Sequence, residues 1–235
     1  MMDPMETRPI AVVIAVKELS GAKTRLAPAI DRDGRRALVL AMLEDTLTAV
    51  AETGLDRVVV VSPDQAVATT AGAFGAETVV DRGDVLNRAF AMGIDHALSR
   101  WPGSRILVLQ ADLPAATPTS LIAAVAESAP LTSSYIPDHA GTGTTALFLD
   151  LEGPHTTDFL RFGADSAQRH SDHGAVDLVD DSDRWPDLRI DVDTIDDLLT
   201  AAQFGLGRAT SAVLRRLQLG EQSQTRDSTV RPDAP

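Results

Sequence analysis

The chain has 235 residues, a formal net charge of −13, 44% apolar and 23% charged side chains, and no cysteine. An acidic balance of this size argues against a general nucleic-acid or membrane-surface binder, because both need a basic face. The absence of cysteine removes disulfides, thiolate metal sites and cysteine nucleophiles. No apolar run approaches the roughly 20 residues of a membrane span, and the first nine residues lack the basic start and apolar stretch of a signal peptide. The default expectation is therefore a cytoplasmic enzyme, with one domain over 10–218, a flexible N-terminus over 1–9 and a disordered tail over 219–235.

The first element, Ile10 to Val16, is an apolar run that suits a fully buried strand. It enters a loop, Lys17 to Pro28, that contains both lysines of the chain, Lys17 and Lys23, together with Arg25. Every other basic residue is arginine. A strand-to-helix loop of an α/β domain is where anionic ligands dock. Two compact ammonium groups and a guanidinium beside the small residues Gly21 and Ala22 suit a polyphosphate. The alternative is a solvated basic loop that only keeps the strand end soluble.

Leu38, Met42 and Val50, with Leu43 and Leu47 beside them, then repeat at helical spacing from Asp33-Gly34 to Gly54. Arg57–Ser62 is a β-branched run without the polar positions of a surface strand, hence a central parallel strand. Asp64–Phe74 is a short helix, Glu77–Asp81 a third strand, and Val85–Leu98 a packed helix. Asn87, in the first turn of that helix, would either meet a base edge or bond locally.

Arg105–Leu109 is a continuous apolar strand that delivers Asp112 at its carboxyl end. That carboxylate suits a magnesium ion bridging phosphates, or a cap on the following helix, Thr117–Glu127. Ser133–Pro137 is a further strand. Beyond it, Gly141 to Thr145 is a glycine and threonine loop that runs into another strand and would offer N–H groups to an anion or serve an ordinary turn. Arg161–His170 enters a short helix near Asp165, where Ser166 would face an anion or act as part of a plain cap. His155, His170 and His173 lack a zinc-type spacing and are taken as surface or structural residues. Leu188–Asp193 is expected to be the last strand, with Asp191 and Asp193 on one side. Either carboxylate could complete a metal site with Asp112 or cap the helix Ile195–Phe204. An amphipathic helix over Gly207–Leu217 closes the domain, and from Gly220 the residues are polar.

Five of these stretches, in this order, resemble the CofC/FbiD guanylyltransferases of coenzyme F(420) biosynthesis. They are Ala15-Val16-Lys17 with Ala22-Lys23-Thr24-Arg25-Leu26, Leu109 to Pro114, Gly141 to Thr145, Phe162 to Ala167, and Asp191-Val192-Asp193-Thr194. The resemblance implies an α/β, single-domain, Rossmann-like GT-A nucleotidyltransferase fold with a mostly parallel central sheet and helices on both faces. It also implies transfer of GMP from GTP to the phosphate of phosphoenolpyruvate or 2-phospho-L-lactate. Carried over by position, Lys17, Lys23 and Arg25 would hold the GTP phosphates and support catalysis, with Leu86 and Asn87 also at the nucleotide. Asp112 and Asp193 would bind Mg²⁺, and Thr145, Gly163 and Ser166 would contact the phosphoenolpyruvate-type acceptor. Strand register leaves Thr144 and Thr145 as alternatives for that contact. One departure stands out: Val85-Leu86-Asn87-Arg88-Ala89 replaces the family's usual Gly-Leu-Asn-Ala-Ala. An alanine- and arginine-rich composition favours phosphoenolpyruvate. The rival readings are a related nucleotidyltransferase of the molybdenum-cofactor or sugar-phosphate type, and a silent nucleotide-binding module. The sequence is silent on oligomeric state.

Overall fold

The computed structural model describes residues 8–21, 23–81, 83, 85–151, 157–179 and 183–227. Ala22, His155 and the first seven residues fall outside that set.

Seven strands form one sheet: β1 Ile10–Ala15, β2 Arg57–Val61, β3 Glu77–Val79, β4 Arg105–Leu109, β5 Ser133–Pro137, β6 Thr144–Leu149 and β7 Val176–Asp177. Their spatial order is β3-β2-β1-β4-β6-β5-β7. β1 pairs in parallel with β2 and β4, and β2 with β3, whereas β6 runs antiparallel to both β4 and β5. The sheet is thus mostly parallel, as expected. The carboxyl ends of β1 to β4 point to one edge, where open α/β sheets hold their ligands.

The described residues form seven α-helices: α1 Arg32–Glu52, α2 Gln65–Ala73, α3 Leu86–Arg100, α4 Pro118–Ser128, α5 Ser166–Asp172, α6 Ile195–Gln203 and α7 Arg208–Asp227. Alternation along β1 divides the core between the two faces. Val12 and Ile14 pack with Leu38, Met42, Val67 and Leu121 from α1, α2 and α4, while Ala11 and Val13 pack with Phe90, Ile94 and Ala167 from α3 and α5. α3 lies close on the sheet, because a Cβ at Gly93 would meet Val13 at 2.5 Å and Val61 at 2.8 Å. α7 rests on α1, where the buried Asp45 accepts from the N–H groups of Ala209 (2.9 Å) and Thr210 (2.8 Å).

Three expectations need correction. Leu188–Asp193 does not join the sheet: a 3-10 turn, Pro186–Leu188, leads into an irregular segment. That segment is held by isolated backbone bonds from His139 N–H to Arg189 O and from Val192 N–H to Asp112 O. Both partners lie past the ends of their own strands, so no ladder can propagate. The third strand stops at Val79, which leaves Asp81 beyond it as loop. α7 continues to Asp227, past Leu217, where the amphipathic helix was expected to end. Residues 221–227 contain no proline and several good helix formers, so nothing local interrupts the helix. Residues 228–235 lie outside the described set. β7 was not legible because two residues carry no periodic signal.

Candidate functional site

The cleft lies along the carboxyl edge of β1, β2 and β4 and encloses about 780 Å³. Lys17, Lys23, Leu86, Asp112, Asp191 and Asp193 are among the residues that line it. Five of these six sit in loops, which the sheet edge aims inward.

The loop after β1 is shaped by two 3-10 turns, Leu19–Gly21 and Thr24–Leu26, with Lys23 between them in a left-handed conformation (φ 51°, ψ 48°). Such a conformation costs a non-glycine residue about 1–2 kcal/mol. Leu26 is fully buried just beyond it, and burying a leucine contributes roughly 1.5–3 kcal/mol, enough to hold the bend. The bend sends the Lys23 ammonium to Asp112, in a short ion pair, and to Asp193 Oδ1 at 2.6 Å. Burial alone would pull the lysine pKa down. The adjacent Asp112 and Asp193 charges, with their hydrogen bonds, outweigh it and drive the pKa up, so the group stays charged. Arg25 lies outside this pair, 3.8 Å from Asp193 Oδ2 and 74% exposed, and Lys17 is exposed on the cleft wall.

Asp112 stands three residues beyond β4. Its Oδ1 is buried with no hydrogen-bond partner. A buried carboxylate oxygen without a partner is costly, and it points to a cation or donor that the folded chain does not itself supply. Asp193 is free for the cleft because the capping of α6 falls to its neighbours. Thr194 accepts from the Asp197 N–H (3.2 Å), and Asp197 Oδ2 accepts from the Asp193 N–H (3.0 Å) and the Thr194 N–H (2.7 Å). The two aspartates the sequence paired do both line the cleft, although the segment is not a strand. Burial, reinforced by the Asp112 and Asp193 charges against the opposing Lys23, pushes the Asp191 pKa up to about 7. Among the described residues no three His, Asp or Glu side chains form a closed metal cage. Two carboxylates converging on one point, one oxygen of them orphaned, match instead the open arrangement in which a magnesium ion completes its shell with phosphates and water.

The second group of expected residues lies on the other side of β4, joined to the cleft through Gln110. The Gln110 N–H donates to Thr145 O (2.9 Å) and its side chain to Thr144 O (3.4 Å). Thr144 and Thr145 point to opposite faces. Thr145 is fully buried and its hydroxyl bonds Ile136 O at 3.4 Å. Thr144 Oγ1 accepts from Ser166 Oγ (3.1 Å) and lies 2.9 Å from His170 Nδ1. His170 Nε2 accepts from the Arg161 N–H (3.1 Å), which assigns the ring proton to Nδ1. Burial, with nearby Arg169, His173 and Arg161, takes the His170 pKa down to about 4. It is a neutral structural histidine, as expected. The structure therefore brings Thr144, not Thr145, to Ser166. Gly163 has φ 121°, a conformation that favours glycine, and Asp165 follows in the left-handed region at φ 53°.

Two other expected contacts are committed elsewhere. The Asn87 amide donates to Phe162 O (3.1 Å) and accepts from the Phe162 N–H (2.9 Å), so it clamps α3 to the 161–166 segment. In the Gly141–Thr145 loop, the Thr142 N–H is spent on Asp138 Oδ1 (2.8 Å), so a carboxylate already sits where an anion was expected.

The family model described as CofC-like guanylyl transferase matches residues 10–231. The chain is 44% identical over 215 residues to a phosphoenolpyruvate guanylyltransferase of Nocardia farcinica, covering 88% of this chain and 92% of that one. It is 41% identical over 219 residues to a protein of the same name from Mycobacterium leprae, covering 90% and 96%. Among solved structures, it is similar to a putative nucleotide-diphospho-sugar transferase from Desulfovibrio desulfuricans, with TM-score 0.68, 17% identity and coverage of 90% and 96%. A nucleotidyl transferase from Methanothermobacter gives TM-score 0.57 at 20% identity, covering 83% and 97%. These structural likenesses establish the fold. No described helix is long and apolar enough to cross a membrane.

Proposed function

We propose that this chain, which belongs to the CofC-like guanylyl transferase family, transfers the GMP group of GTP to the phosphate of phosphoenolpyruvate. The products would be enolpyruvoyl-2-diphospho-5′-guanosine and pyrophosphate, and the family resemblance supports assigning the reaction to coenzyme F(420) biosynthesis. The observation that carries the reading is the Lys23 ammonium held on Asp112 and Asp193 at the cleft. A reaction that joins two phosphate anions and expels a third needs cations beside hard oxygen ligands at one point.

An oxygen of the acceptor phosphate attacks the α-phosphorus of GTP. The α-phosphorus bond to the oxygen bridging to the β-phosphate breaks, and that oxygen leaves with its electron pair as pyrophosphate. No general base is needed, because a phosphate monoester is already ionised at neutral pH. This accords with a His170 that is neutral and fully bonded. Lys17, Lys23 and Arg25 neutralise charge gathering on the departing phosphates. Asp112 and Asp193 would hold Mg²⁺, which when bound supplies Lewis-acid neutralisation of the phosphate oxygens. Leu86 lies on the cleft wall, where it would flank the nucleotide. On the acceptor side, Gly163, Ser166 and a β6 threonine make the site. Thr144 is the better placed threonine, since it already accepts from Ser166 and His170 and so keeps its own proton to donate.

The test is product analysis by mass spectrometry and ³¹P NMR after incubation with GTP, Mg²⁺ and phosphoenolpyruvate, 2-phospho-L-lactate or no acceptor. Formation of the diphosphate-linked product with phosphoenolpyruvate is the expected result. Product from phospholactate alone would transfer the reading to that acceptor. No product from either, in protein that binds GTP, would overturn it.

A further inference from the structure

The Asn87 amide is committed to Phe162, so a guanine base in the cleft needs another partner. We propose that Asp81, assisted by Ser62, recognises the Watson–Crick edge of guanine and sets the nucleotide specificity of the cleft. The proposal rests on the guanylyl-transfer reading for the identity of the nucleotide.

The sheet order fixes the geometry. Asp112 follows β4, Lys17 follows β1, Ser62 follows β2 and Asp81 follows β3, and these strands lie side by side in the order β3-β2-β1-β4. Three strand spacings, roughly 14 Å, separate the β4 end from the β3 end. That is comparable to the reach of an extended nucleotide from its α-phosphate to the far edge of its base. A narrow recess opens at the β2–β3 end. It contains Ser62 and Asp81 and shares Val16, Pro63, Gly83 and Leu86 with the main cleft. The recess itself holds only about 10 Å³, so a base lying in the main cleft against those apolar walls would bring its polar edge to the mouth of the recess.

What waits there has the right polarity. Asp81 is only 4% exposed, and its Oδ1 accepts from the Gly83 N–H at 2.9 Å, which fixes the carboxylate in place. Its Oδ2 has no hydrogen-bond partner among the described residues. Ser62 is buried and its Oγ accepts from the Asp64 N–H at 3.1 Å, which leaves the hydroxyl proton to give. A carboxylate only accepts, whereas a hydroxyl can donate. Guanine offers the complement: donors at N1 and the 2-amino group, and an acceptor at O6. Adenine would present an N1 lone pair to the carboxylate and have no 2-amino group. A Cβ at residue 83 would meet the Asp81 carboxylate oxygens at 3.1 and 3.5 Å. Glycine there keeps the carboxylate open to approach.

Isothermal titration with GTP, ITP and XTP in the presence of Mg²⁺, on the wild type and Asp81→Asn, tests this. Inosine lacks the 2-amino group, and xanthosine carries an oxygen in its place. The wild type is expected to prefer GTP over ITP by roughly 10- to 100-fold, the range for a bidentate edge contact. Asp81→Asn should lose that preference and bind XTP more tightly than GTP, because an amide N–H then faces the 2-oxygen. Binding of XTP also certifies that the variant is folded. A Gly83→Leu variant, which covers the carboxylate, should lose the GTP preference as well and serves if Asp81→Asn binds nothing. An unchanged GTP:ITP ratio in the variants, or none in the wild type, would overturn the proposal. Because no acceptor is present, that result is separate from failure of the transfer reaction.

Discussion

The two sides of β4, which on the proposed function would each hold a phosphate, are built in opposite ways. On the β1 side, charges dominate: Lys23, Asp112, Asp193 and Arg25 are paired with one another and partly open to solvent. On the β6 side, the groups are neutral and buried, with Ser166, Thr144 and His170 bonded in sequence. Ion pairs at a cleft can exchange partners when a polyanion arrives, whereas a satisfied buried network resists rearrangement. The difference teaches that, on the proposed function, the nucleotide side is built to change partners and the acceptor side is built to stay.

Removing a charge should therefore hurt the reaction far more than removing a hydroxyl. Asp112→Ala is expected to lower the rate of pyrophosphate release on the order of 10²-fold or more, by analogy with loss of a transition-state stabiliser. It should leave the fold intact, as circular dichroism would show. A loss confined to KM for the acceptor would instead place Asp112 on the other side of the comparison.

Thr144→Val and Thr145→Val sharpen it next. Thr144 loses bonds to two buried partners, so its variant should cost about 1–3 kcal/mol in denaturant unfolding and raise KM for the acceptor. Thr145 gives up one long bond to Ile136 O, and its variant should cost about 1 kcal/mol or less with kinetics near the wild type. The reverse ranking would return the acceptor contact to Thr145.

The smallest effect is a pH dependence of stability. His170 has its folded pKa lowered to about 4 from an ordinary value of 6.5. Below pH 6.5 the unfolded chain gains a proton that the native network refuses, so this contribution is full above that pH and is lost as pH falls toward 4. Melting temperatures of the wild type should decline more steeply across this window than those of His170→Gln. Parallel declines would mean that His170 is not buried as a neutral ring.

Much of this was legible in the residues. Apolar runs such as Arg105–Leu109 and the helical spacing of Leu38, Met42 and Val50 announced their elements because burial selects period directly. The clustering of both lysines pointed to the cleft without any structure, as did an aspartate after a continuous apolar strand. Less accessible was anything decided by partners distant in sequence. Asn87 is taken by Phe162, 75 residues away, and the Thr142 amide by Asp138. Neither commitment leaves a mark on local composition. Leu188–Asp193 alternates like a strand, yet it finds only loop atoms beside it. Asp191 was named beside Asp193, but its raised pKa depends on its burial and then on carboxylates brought in from distant segments, Asp112 foremost. Asp81 was hidden because an aspartate after a strand usually signals only a turn.

The most direct test of the central claim, that Lys23 and Asp112 act as one unit on the nucleotide side, is a double-mutant cycle on phosphoenolpyruvate-dependent pyrophosphate release from GTP. It would compare the wild type, Lys23→Met, Asp112→Asn and the double variant. Groups that act as a unit are strongly non-additive, so the double variant should be little slower than the slower single one. Losses that multiply would show that the two residues contribute independently, and would contradict the account.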